Sequence, residues 1–100
     1  MNISEIPLSA DNQNFAITIA GTQYRMRLVW RDAFWCLDLL NSDQTPVALS
    51  LPLLAGADLL APYAYLNLGF SLFVNSDTEG QENPTKTDLG IYSHLYVVTE

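Results

Sequence analysis

One histidine, His94, and one cysteine, Cys36, bound the chemistry open to this chain. Zinc needs about four nitrogen or sulfur ligands in a structural site and three protein ligands in a catalytic one. His94 and Cys36 fall short of either without an unusual all-carboxylate supplement. A Cys–His nucleophilic pair is disfavoured as well. Cys36 falls in the middle of a strand-like stretch rather than at a helix N-terminus or a sharp elbow, where thiolates are activated. His94 reads as an ordinary residue near the start of a strand. The carboxylates Asp11, Asp32, Asp43, Asp77, Glu79, Glu82 and Asp88 fall mostly in turn-forming stretches. Turn chemistry accounts for them better than acid–base catalysis, which needs two held rigidly in a cleft. Gly56, Gly69, Gly80 and Gly90 are isolated, so no glycine-rich phosphate loop exists. The residues point to no catalytic group, no metal and no cofactor, and the chain is read as not an enzyme.

The arginines stand out instead. Arg25, Arg27 and Arg31 carry most of the positive charge, since Lys and Arg together number 4. Their spacing puts them on one face of one strand, with same-face neighbours about 6.5–7 Å apart. Two readings stay open. The row is either a solvated face paired locally, with Asp38 across a hairpin as one partner, or a surface that docks on acidic or carbonyl-rich protein. Asp77, Glu79 and Glu82 are candidate partners for the arginines within the chain, and candidate docking residues in their own right.

Composition supports a protein-binding part. Hydrophobic residues make up 49% of the 100 residues and charged residues only 15%, against roughly 25% charged in ordinary soluble domains. A domain of this size has a high surface-to-volume ratio, so some of that apolar material must reach the surface, where it serves an interface or a pocket. The formal net charge of -7 repels phosphate and disfavours nucleic acid. One cysteine makes no internal disulfide, so nothing argues for an oxidising compartment. Met1 to Pro7 has neither a basic nor an apolar leader region, and the most apolar stretch, 49–64, is interrupted by Ser50, Pro52, Gly56, Asp58 and Pro62. Synthesis in a cytoplasm is expected, with no membrane span.

These residues must be positioned by short strands. Ile3 to Leu8 reads as an edge strand, with Pro7 near its end. Phe15, Ile17 and Ile19 alternate with Ala16 and Thr18. Gly21-Thr22 is a glycine-first hairpin turn, and the return strand 23–31 sends Tyr24, Met26, Leu28 and Trp30 one way and the arginines the other. Asp32-Ala33 makes a tight connection to 34–40, where Trp35, Leu37 and Leu39 alternate with Cys36 and Asp38. Strands follow over 46–51, 70–74 and 93–99. Between them, 53–68 does not alternate. Gly56-Ala57-Asp58 is a helix start that Pro62 disrupts. Leu59, Leu60, Tyr63, Tyr65 and Leu66 there are either core filler or an apolar surface for a neighbour. Residues 75–88 read as a mobile acidic loop. The expectation is one mainly β domain over 1–100, an antiparallel meander closing into a small barrel or sandwich, with one short helical or irregular segment near 56–66.

Much of the chain carries a further pattern: Glu5-Ile6-Pro7-Leu8 with Asn12 and Phe15, then 21–28, then Trp30-Arg31-Asp32 and Trp35 with Leu37-Asp38-Leu39. It continues through Pro52-Leu53, 56–60 and 63–69, and ends in Asp88-Leu89-Gly90 and Ser93-His94-Leu95-Tyr96. In order and spacing these residues resemble the small baseplate plug proteins of contractile-tailed phages and prophages. The resemblance implies a structural virion component of the tail baseplate, close to the central hub and spike, with no catalytic residues to carry over. It also implies other baseplate proteins as partners, and a homo-oligomer is compatible with it. No small-molecule substrate is expected.

Two other classes stay open at this point. One is a small barrel whose mouth, lined by Trp30, Trp35, Tyr63 and Tyr65, holds a small ligand. The other is a phage-encoded adaptor or inhibitor acting on a host protein.

Overall fold

The computed structural model describes residues 2–56, 58–77 and 84–99. Among these are the strands β1 (Asn2–Ile6), β2 (Gln13–Ile19), β3 (Thr22–Trp30), β4 (Trp35–Asn41), β5 (Pro46–Pro52), β6 (Phe70–Ser76) and β7 (Ser93–Thr99), with one 3₁₀ helix at Ala61–Leu66. They form two antiparallel sheets, a three-stranded one in the order β1-β7-β6 and a four-stranded one in the order β2-β3-β4-β5. The four-stranded sheet is the expected meander. The two sheets do not close into a barrel; the arrangement is sandwich-like.

Period-two alternation explains the core. Tyr24, Met26 and Leu28 on β3 and Trp35, Leu37 and Leu39 on β4 are buried, with Trp30 half-buried. Facing them are Ile6, Phe70, Leu72, Val74 and Leu95 from the other sheet. Tyr24 and Phe70 bridge the sheets edge to face, with ring centroids 5.5 Å apart, a favoured aromatic geometry.

Several local expectations are corrected. The first hairpin turns at Ala20-Gly21, both at positive φ (52° and 81°), so Ile19 pairs with Thr22. This is the mirror-image turn with two left-handed centres, not the glycine-first type. β3 ends at Trp30, so Arg31 lies in the connection, where its N–H donates to the Phe34 carbonyl at 2.8 Å and Asp32 takes φ 64°. Pro62 sits in the first turn of the 3₁₀ helix rather than breaking it, because the first turn has no use for its missing N–H. Asp58 precedes that helix and accepts the amides of Leu60 (2.9 Å) and Leu72 (3.0 Å). Of the apolar residues between the sheets' halves, Leu60 is buried, Leu59 and Tyr63 are half-buried, and Tyr65 and Leu66 are exposed.

Of the stretch 75–88, Asn75 and Ser76 belong to β6. Asp88 organises its far end, accepting the Thr85 amide at 2.6 Å and the Ser93 hydroxyl at 2.9 Å. Residues 78–83 of that expected loop, Glu79 and Glu82 among them, lie outside the described residues.

Candidate docking surface

Arg25 and Arg27 occupy the outer face of the four-stranded sheet, and Arg31 lies just beyond its strand end. Strand register sets Arg25 between Ala16 on β2 and Leu40 on β4, and Arg27 between Asn14 and Asp38. The two arginines differ in what holds them. Arg27 donates from Nε (2.9 Å) and Nη2 to the same oxygen of Asp38, Oδ2. Arg25 donates from Nη2 to the side-chain oxygen of Asn14 at 3.1 Å, which draws its guanidinium over β2. No ion pair to Arg25 or Arg31 exists among the described residues.

Asp38 ties this face to the sheet beneath it. β5 departs from regular pairing between Leu37 and Leu40 of β4, and Ser50 there takes φ 58°. A bulge of this kind leaves a backbone donor without a ladder partner. Asp38 Oδ1 accepts that Ser50 N–H at 2.8 Å. Burial pushes the Asp38 carboxyl pKa up. The Ser50 amide, the hydrogen bonds and charge of Arg27, and the charge of Arg31 outweigh it, leaving the pKa below its ordinary 3.8. Arg31 thus acts on Asp38 from beyond the strand end. A shallow recess of about 270 Å³ lies beside Arg27, lined by Asn12, Gln13, Asn14, Arg27, Leu28 and Val29.

Asp77 does not answer the arginines. It lies just after β6, on the other sheet, and its Oδ2 is 2.8 Å from His94 Nε2. Glu5 on β1 approaches the opposite ring nitrogen, Nδ1, at 2.7 Å. From the central β7, His94 therefore bridges Glu5 of β1 and Asp77, the residue that follows β6. The hydrogen bonds of Asp77 and Glu5, with their charges, raise its pKa above 6.5 against a smaller opposing effect of burial. Sequence reasoning passed over this cluster. Its only available signal was non-local, the antiparallel pairing of β1 and β6 on β7.

The remaining chemical candidates do not converge. Cys36 is buried on β4 and His94 lies on the other sheet. No group of three or more His, Cys, Asp or Glu side chains gathers as metal ligands among the described residues. Trp30 and Trp35 contact each other edge to face at 5.5 Å and line one recess with Ala10, Asp11, Asn12 and Lys86. Tyr63 contributes to a different one, with Asp58 and Phe70. Among the described residues, the two tryptophans and Tyr63 thus line separate recesses.

The fold and surface define a small acidic β-sandwich with a basic outer face. A family model described as cyanophage baseplate Pam3 plug gp18 matches residues 3–100, and the chain belongs to this family of phage baseplate plugs. No curated protein matches the chain. The family implies a structural part in the virion tail, in contact with other baseplate proteins.

Proposed function

We propose that this chain is a plug of a contractile-tail baseplate, made in the bacterial host cytoplasm as one domain, seated near the central hub and spike, and acting by protein–protein docking without catalysis. The docking surface is the outer face of β2–β4 with Arg25 and Arg27, extended by Arg31 in the connection after β3, and Asp77 and the acidic residues Glu79 and Glu82 form a second contact region. One observation carries this reading. In a chain of net charge -7, Arg25 and Arg31 have no ion pair among the described residues. Arginine so placed suits an interface, where a partner supplies carboxylate or carbonyl oxygen and desolvation strengthens the contact.

The test is complementation of a phage or prophage deleted for this gene. The deletion is expected to leave heads intact and stop tail assembly. A double Arg25→Glu, Arg31→Glu variant is expected to fold and fail to enter particles. Infectious tails from the deletion strain would remove the structural role, and wild-type incorporation of the double variant would remove this face as the docking surface.

A further inference from the structure

The sandwich has four sheet edges, and three of them are guarded. An unguarded edge offers a row of backbone donors and acceptors to any extended chain, and proteins blunt edges with prolines, bulges, charges, short length or covering loops. β5 has Pro46, Pro52 and the irregular pairing at Ser50. β1 is 5 residues long, carries Glu5 and runs into Pro7. β6 is covered at its middle, where the Leu72 carbonyl accepts the Leu59 N–H at 2.8 Å and the Leu72 N–H donates to Asp58.

Among the described residues, β2 shows none of these devices. Gln13–Ile19 contains no charge and no proline, every residue pairs in regular register with β3, and no residue of it has positive φ. The turn at Ala20-Gly21 closes on the pair Ile19 and Thr22. Antiparallel pairs alternate between hydrogen-bonded and non-hydrogen-bonded. Ile19, Ile17, Phe15 and Gln13 therefore bond to β3, while the N–H and C=O groups of Asn14, Ala16 and Thr18 face outward. All three residues are exposed.

We infer that β2 receives an extended segment of another baseplate protein as a fifth strand of this sheet, and that the segment carries a carboxylate on the side shared with Arg25. The charge argument comes from Arg25 itself. Its hydrogen bond to Asn14 already draws the guanidinium over β2, towards the open edge. Ala16, its cross-strand neighbour, offers only a methyl group between the two. A side chain opposite Ala16 on an added strand would lie on the same face, about 9–10 Å from the β3 backbone at two strand spacings. That distance is within reach of an arginine meeting an aspartate or glutamate. A second copy of β2 is the poorer occupant, because Gln13–Ile19 has no acid to offer and two chains of charge -7 repel. Backbone pairing would give affinity and the carboxylate register, as in strand addition generally.

This inference rests on the docking face proposed above, so the experiment separates the two. Amide hydrogen exchange is measured on the free chain and on purified tails. The amides of Asn14, Ala16 and Thr18 are expected to slow by at least about tenfold in tails, while Phe15 and Ile17 are protected in both. Ala16→Pro removes one outward N–H without touching the β3 ladder, and is expected to fold and fail to enter particles. Unchanged exchange at Asn14, Ala16 and Thr18, or wild-type incorporation of a folded Ala16→Pro chain, overturns strand addition. If Ala16→Pro does not fold, the exchange measurement decides alone. Loss of incorporation by Arg25→Glu, Arg31→Glu together with unprotected β2 amides would leave the face as a docking surface and discard the added strand. Normal incorporation of the arginine variant with protected β2 amides would keep the added strand and discard both the docking face and the carboxylate opposite Arg25.

Discussion

Asp38 on β4 holds the backbone amide of Ser50 on β5 at 2.8 Å with one carboxylate oxygen while Arg27 takes the other. One side chain thus satisfies the irregular pairing and anchors the arginine face. Asp38→Ala leaves the Ser50 amide and the Arg27 head without their partner, and is expected to cost about 2–3 kcal/mol in urea unfolding. Asp38→Asn keeps an acceptor for Ser50 and is expected to cost about 1 kcal/mol. Because the Asp38 pKa is lowered in the folded state, its contribution is present above the unfolded value and lost as pH falls through the folded one. The stability gap between wild type and Asp38→Asn is expected to narrow below about pH 4. A gap that stays constant down to pH 2 would contradict the role given to the charge.

His94 is expected to act with the opposite sign. Both its ring nitrogens meet carboxylates, Glu5 at 2.7 Å and Asp77 at 2.8 Å. Only the imidazolium donates to both at once. Its pKa is raised on folding, so its stabilisation is full below the unfolded value near 6.5 and is lost as pH rises through the folded value. Thermal melts of wild type and His94→Gln are expected to differ at pH 5.5 and to converge at high pH. Curves that remain parallel across that range would show that the charge contributes nothing.

Gly90 and Gly21 share φ +81° but not surroundings. A Cβ at Gly90 would sit 2.0 Å from the Leu8 carbonyl oxygen and 2.6 Å from its carbon, whereas nothing lies within 4 Å of one at Gly21. Gly21→Ala is expected to cost about 1–2 kcal/mol, the ordinary left-handed penalty. Gly90→Ala forces the chain after β1 away from the turn before β7, and is expected to cost more than about 4 kcal/mol. Equal losses in denaturant melts would mean that the close approach of Gly90 to Leu8 is not maintained in solution.

How much of this was legible in the sequence follows from range. The three-strand meander β2–β4 announced itself through alternation at Phe15 to Leu39, because each strand pairs with its sequence neighbour, and β5 was read only as a further strand. The inward set Tyr24, Met26, Leu28, Trp35, Leu37 and Leu39 follows from that period alone. The three-stranded sheet did not announce itself, since β1 pairs with β7 across nearly the whole chain and nothing local encodes such a pairing. For the same reason the Glu5–His94–Asp77 cluster escaped notice. Turn detail was lost to one-residue ambiguity: Ala20 accepts a left-handed conformation that favours glycine or asparagine, so the pattern suggested Gly21-Thr22. The link between Arg27 and Asp38 was legible because it spans one hairpin. The connection at Asp32-Ala33 was legible too, but not that the strand stops at Trp30, one residue short of it.

The arginines offer the clearest separation of folding from assembly, because strand register gives two of them different partners. Arg27 is engaged by Asp38, whose side chain is largely buried beside it. Arg27→Glu would place a second carboxylate against Asp38 and is expected to destabilise the isolated chain by about 2–4 kcal/mol. Reversing all three arginines together would therefore confound unfolding with lost docking. Among the described residues Arg25 bonds to the Asn14 side chain at 3.1 Å, near the surface, and Arg31 lies exposed beyond the strand. Arg25→Glu and Arg31→Glu are each expected to stay within about 0.5 kcal/mol of wild type, as surface changes away from buried partners do. Equilibrium unfolding of the three single variants, followed by scoring each for entry into tail particles, tests the division. The expected pattern is an unstable Arg27→Glu and stable Arg25→Glu and Arg31→Glu chains that nonetheless fail to assemble. Should Arg25→Glu prove as unstable as Arg27→Glu, the row would be a folding ladder, and its place at an interface would fall.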